Sequence, residues 1–109
     1  MTVNQIIEES LKGIVDNIWP LCCPLELKPE SYIVYNTEIE TPGLYADDGD
    51  EEWTSYLQVH LFTKENYTDI RKDIKDRLRE AGFIITDIQT FYEEDTGYYH
   101  LCFSCYIEE

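Results

Sequence analysis

At 109 residues, with 43% hydrophobic and 14% aromatic side chains, the chain is long enough to bury one modest core and too apolar for a disordered tail, so a single domain over residues 1–109 is expected. Its 8 Lys and Arg face 23 Asp and Glu, a formal net charge of -15. That balance weighs against a phosphate backbone as ligand, because affinity there comes from bases that displace counterions. No apolar run approaches the ~20 residues of a membrane span, and Met1 to Asn4 leads straight into an amphipathic pattern, so neither a membrane partner nor a secretory leader is expected.

The first periodic stretch predicts a helix from Val3 to Ile18, with Ile7, Leu11, Ile14 and Ile18 on one face and Ile6 and Val15 widening it. Thr2 and Gln5 have the spacing of a capping box, and Gly13 weakens the middle. Pro20, Pro24 and Pro29 then forbid a helix across Trp19 to Pro29, which reads as a crossing loop held by Trp19, Leu21, Leu25 and Leu27. Ser31 to Glu38 is rich in aromatic and β-branched residues and predicts a strand. A loop over Ile39 to Glu52 follows, carrying the acidic run Asp47, Asp48, Asp50, Glu51 and Glu52. Trp53 to Thr63 alternates as a second strand, with Leu57, Val59 and Leu61 on one face and Tyr56, Gln58, His60 and Phe62 on the other.

Asn66 to Gly82 is the clearest helix. Tyr67, Ile70, Ile74, Leu78 and Ala81 fall in one arc at about 100° per residue, Asn66 can cap the start, and Gly82 can take the left-handed conformation that ends it. Arg71, Lys72, Lys75 and Arg79 make a basic stripe beside that arc, while Asp69, Asp73, Asp76 and Glu80 fall on the far side. With Arg77, the helix holds five of the eight bases, a net charge of about +1 there and about -16 elsewhere. The stripe can snorkel around the apolar arc, or it can dock on an acidic surface of another subunit.

Phe83 to Glu93 and Tyr98 to Ile107 predict a final hairpin, joined at Glu94 to Gly97. The order helix, strand, strand, helix, strand, strand implies an α+β fold: an antiparallel sheet of about four strands with both helices on one face. The opposite face would show Tyr56, His60, Phe62, Tyr98, His100 and Tyr106, aromatic enough to favour cover by a partner.

Tests for chemistry give little. Cys22 and Cys23 are adjacent and Cys102 and Cys105 form C-x-x-C, but residues three apart on a strand point to opposite faces, which suits free thiols better than a zinc site or a redox pair. The acidic run lacks the phase and flanking helices of an EF-hand. Tyr45-Ala46-Asp47-Asp48 copies a short polymerase metal motif in a chain too small for a polymerase. His60 and His100 could pair across strands, yet no nucleophile, phosphate loop or third ligand stands at a recognisable spacing. The expectation is therefore no catalytic residue, no metal and no cofactor.

The string Tyr32-Ile33-Val34-Tyr35-Asn36, the Tyr45 to Asp48 loop, Asn66-Tyr67 opening a helix, Ala81-Gly82-Phe83 closing it, and Tyr92 to His100 leading into Phe103 and Tyr106 resemble the tail terminator, or tail completion, proteins of long-tailed bacteriophages and prophages of Gram-positive bacteria. The resemblance runs over most of the chain from Tyr32 onward. It implies a small α+β subunit that forms a ring, commonly a hexamer, at the head-proximal end of the tail tube. Such a ring stops tube growth, docks to the head-completion or stopper protein, and lets DNA through its pore without specific binding. The implied locations are the virion head-tail junction and, during assembly, the host bacterial cytoplasm.

Within that expectation, Arg71, Lys72, Lys75 and Arg79 of one subunit would face Asp47, Asp48, Asp50, Glu51 and Glu52 of the next, since a ring needs two different complementary patches. Whether the isolated protein is a ring or a monomer awaiting its template stays open. Two other classes compete: an acidic DNA mimic that inhibits a nucleic-acid-binding protein, and a small metal enzyme using His60, His100 and the cysteines.

Overall fold

The computed structural model describes residues 2–21, 24, 29–42 and 53–108, and for residues 39, 41 and 42 the backbone alone. Two helices, α1 (Val3–Leu11) and α2 (Tyr67–Glu80), accompany five strands: β1 (Ile18–Pro20), β2 (Ser31–Pro42), β3 (Trp53–Thr63), β4 (Ile84–Glu93) and β5 (Tyr98–Glu108). The fold is α+β as expected, with two antiparallel hairpins, but the sheet has five strands in the order β1-β2-β3-β5-β4.

The extra strand corrects the reading of the first helix. Thr2 and Gln5 do close a capping box, but α1 ends at Leu11 instead of running to Ile18. Gly13, at φ +90°, turns the chain in a conformation that residues with a Cβ rarely adopt. Ile18 to Pro20 then pair in parallel with Ile33 to Tyr35, and Pro20 sits in an edge strand, where its missing N–H costs least. Ile14, Val15 and Ile18 still pack on the core, so their helical spacing misled while their apolarity did not. The first long strand likewise runs on to Pro42, with a bulge between Thr37 and Ile39.

α2 follows the sequence closely. Asn66 accepts a hydrogen bond from the Thr68 N–H, Asp69 stands in the first turn, and Gly82 at φ +99° ends the helix. Ile74 and Leu78 are fully buried with Ile7 and Leu11 of α1 against Ile33, Leu57, Val59, Leu61, Leu101 and Phe103. One row across the sheet, Tyr35, Val59, Phe103 and Ile88, shows how register feeds this core: each is the pairing partner of the next, and all meet the helices. Tyr35 donates its phenol proton to the Glu8 carboxylate at 2.8 Å and so ties α1 to β2.

The other face carries a second row, Tyr32, Phe62, His100 and Phe91, again paired in succession. Ring centroids lie 4.8 Å apart for Tyr32 and Phe62, 4.2 Å for Phe62 and His100, and 6.0 Å for His100 and Phe91. The chain covers one end of this face itself. Tyr32, Val34 and Tyr98 are buried with Trp19 and Phe62 around them, and the Tyr98 hydroxyl donates to the Pro29 carbonyl at 2.6 Å. Tyr56 and Phe91 stay exposed toward the other end and the β4 side.

Candidate interaction surfaces

The basic stripe of α2 resolves into groups with different surroundings. Arg71 lies 5.7 Å from the Tyr67 ring centroid, a cation–π distance. Lys72 donates to Asp76 at 2.8 Å, one turn on, which raises the ammonium and holds the carboxyl below the usual carboxylate range. Lys75 is half-buried and Arg79 exposed. Arg77, on the opposite flank, reaches the Ser10 and Lys12 carbonyls of the α1 end at 3.4 Å.

The expected counterpart of this stripe, Asp47, Asp48, Asp50, Glu51 and Glu52, lies outside the described residues, as do Cys22, Cys23 and the Tyr45 to Asp48 loop. Cys102 and Cys105 do lie on opposite faces of β5. Cys105 pairs with Leu57 and points into the helix-covered core, while Cys102 pairs with His60 on the open face. Burial raises both thiols, Cys105 to about 12, so neither is a ready thiolate.

The histidines meet as the sequence allowed. His60 Nδ1 stands 2.9 Å from His100 Nε2, His60 Nε2 stands 3.1 Å from the Gln58 carboxamide oxygen, and His100 Nδ1 stands 3.6 Å from a Glu93 oxygen. One of the two facing nitrogens must donate and the other accept, so a single proton lies between the rings. Burial pushes both rings below the ordinary histidine value. The neighbouring His100 adds to this at His60, while Glu93 opposes it at His100. No group of three or more His, Cys, Asp or Glu able to hold a metal ion occurs among the described residues.

Grooves elsewhere are open. One runs past Ile14, Asn17, Glu30 and Glu65, another past Ile6, Glu9, Arg77 and Glu80, and neither holds a histidine or a cysteine. Among the described residues no helix is long and apolar enough to cross a membrane. What sequence reasoning missed is the sheet's perimeter: among the described residues β4 is an outer strand, and β1 pairs with only Ile33 to Tyr35 of β2. Alternation identifies strands but not their neighbours, so no local signal could have supplied this.

No protein-family model matches the chain, and no curated protein does either. Among solved structures it is similar to a chain of the virion of the native gene transfer agent (GTA) particle, with a TM-score of 0.64 and 9% sequence identity over 97% of this chain and 92% of that chain. At that identity the likeness is one of fold.

Proposed function

We propose that this chain is a structural protein of a phage-type virion, and more specifically a tail terminator or completion subunit that forms a ring on the tail tube. The observation that carries the reading is the end-to-end fold likeness to a chain of a virion particle. The ordered motifs from Tyr32 to Tyr106 support the finer assignment. In this role the ring caps the tail tube protein and offers its other surface to the head-completion or stopper protein at the head-tail junction. The host bacterial cytoplasm is where assembly takes place. With a net charge of -15, the pore wall would repel phosphates, so DNA slides through without being held.

Subunit contacts would set the basic flank of α2 against acidic groups of the neighbour, including the run from Asp47 to Glu52. Tail tube protein polymerised with and without the purified chain tests the role. Bounded tube lengths with a ring at one end, seen by negative-stain electron microscopy, are expected. Unchanged tube lengths with bare ends overturn it.

A further inference from the structure

His60 and His100 are diagonal neighbours across β3 and β5, because His60 pairs with Cys102 and His100 with Phe62. All four side chains leave the sheet on the face opposite the helices. The diagonal brings His60 Nδ1 to 2.9 Å from His100 Nε2. Stacking on Phe62, with 4.2 Å between centroids and 17° between planes, fixes the plane of the His100 ring and still lets the ring turn within that plane. The His100 side chain is 21% exposed, so a small ion can reach it from solvent.

The pair has three places for a proton and, when both rings are neutral, two protons to fill them. One place is the gap between the rings. The others are the outer nitrogens: His60 Nε2, 3.1 Å from the Gln58 carboxamide oxygen, and His100 Nδ1, 3.6 Å from a Glu93 carboxylate oxygen. Both oxygens accept and neither donates. With one proton in the gap, one outer nitrogen turns a lone pair toward an oxygen, unless the Gln58 carboxamide turns over or a third proton charges the pair. A metal ion in place of the proton removes the conflict. It takes a lone pair from each inner nitrogen, while Gln58 and Glu93 each take an outer proton. Metal-bound imidazoles are commonly held in this way, with the far N–H given to a carboxylate or carbonyl oxygen.

Imidazole nitrogen suits transition metals such as Ni2+, Cu2+ and Zn2+, whereas Mg2+ and Ca2+ prefer oxygen. At a metal–nitrogen bond of about 2.0–2.1 Å, two nitrogens 2.9 Å apart subtend about 90° at a shared ion once the rings turn toward it. That angle fits square-planar or tetragonal Ni2+ and Cu2+ better than tetrahedral Zn2+. Among the described residues no third His, Cys, Asp or Glu joins the pair, so water takes the remaining positions. A net charge of -15 concentrates divalent cations around the chain.

We infer that His60 Nδ1 and His100 Nε2 form a two-histidine chelate for a divalent transition-metal ion of the Ni2+ or Cu2+ kind, with Gln58 and Glu93 as positioning residues. The ion clasps β3 to β5 on the face without helices, and it stabilises the folded chain because it binds that state alone. Both ligands come from one chain, so the inference stands or falls separately from the ring.

The test strips the full-length chain with EDTA and titrates it with NiCl2. Calorimetry should show one histidine-dependent ion per chain, and paramagnetic broadening in NMR spectra should begin at Gln58, His60, His100 and Cys102. Excess NiCl2 should raise Tm, while MgCl2 at the same concentration should produce neither effect. His60→Gln and His100→Gln, each checked for folding by circular dichroism, should lose the bound ion, the broadening and the rise in Tm. The wild-type spectra locate the ion by themselves, so the test survives a variant that does not fold. Absence of binding, or broadening that begins instead at Cys22 and Cys23 or along Asp47 to Glu52, overturns the inference. Binding that persists in either folded variant, or MgCl2 that reproduces the effects, overturns it as well.

Discussion

His60 Nδ1 and His100 Nε2 lie 2.9 Å apart on the aromatic face, within a row that begins at Gln58 and ends at Glu93. Only one of the two facing nitrogens can carry a proton, so the arrangement is satisfied while at least one ring is neutral.

This pair predicts an acid-sensitive term in stability. Both histidines have folded values below the unfolded one of about 6.5, so the unfolded chain takes up protons first as pH falls. The contribution of the pair is complete above about 6.5 and is lost as pH drops from there toward the folded values. Nitrogen-detected NMR titration should place both rings below the free-histidine value. In thermal melts, the fall in Tm between neutral and mildly acidic pH should be smaller for His60→Gln than for wild type. A ring titrating at or above the free value would contradict this.

Thiol chemistry gives a second expectation. Cys105 faces the core with its thiol raised to about 12, and Cys102 is buried and raised on the other face. Iodoacetamide at mildly alkaline pH should therefore leave both cysteines unmodified in the native protein and modify them in denaturant, as read by fragment-ion mass spectrometry. Rapid native labelling of Cys105 would mean that β5 opens far more readily than its buried neighbours imply.

The ends of α2 should respond separately. Asn66→Ala removes the side chain that accepts from the Thr68 N–H and should cost about 1 kcal/mol in urea unfolding. Gly82→Ala meets only an ordinary contact, 3.8 Å to Ile107 Cδ1, so its expected loss of about 1 kcal/mol or more comes from φ +99° and not from crowding. If Gly82→Ala proved neutral, the helix would have to end in another conformation.

The link between α1 and the sheet can be probed at Tyr35. Its phenol is buried and bonded to Glu8, and both facts hold it protonated well above the usual phenol range. Tyr35→Phe keeps the ring in the core and should cost roughly 1 kcal/mol, the net value of one hydrogen bond. Leu78→Ala, at the fully buried centre beneath α2, should cost about 2–5 kcal/mol. The order of these two losses, measured by denaturant unfolding, is the check.

Short-range chemistry was legible along the chain. Thr2 with Gln5, Asn66, Gly82 and the Glu94 to Gly97 turn announce their roles within a few residues, because caps and turns are closed by neighbours in sequence. Alternation likewise sorted Leu57, Val59 and Leu61 to the core and His60 and Phe62 to the other face. Gly13 shows the limit. Ile14, Val15 and Ile18 keep a helical period past the point where the helix stops, since the turn after Gly13 and the short strand beside Ile33 pack them on the core as another helical turn would. Which strands became edges, that the two histidines touch, and that Arg77 reaches the end of α1 all depend on contacts between segments tens of residues apart. Those contacts are chosen by the packing of the whole core, and no local pattern encodes them.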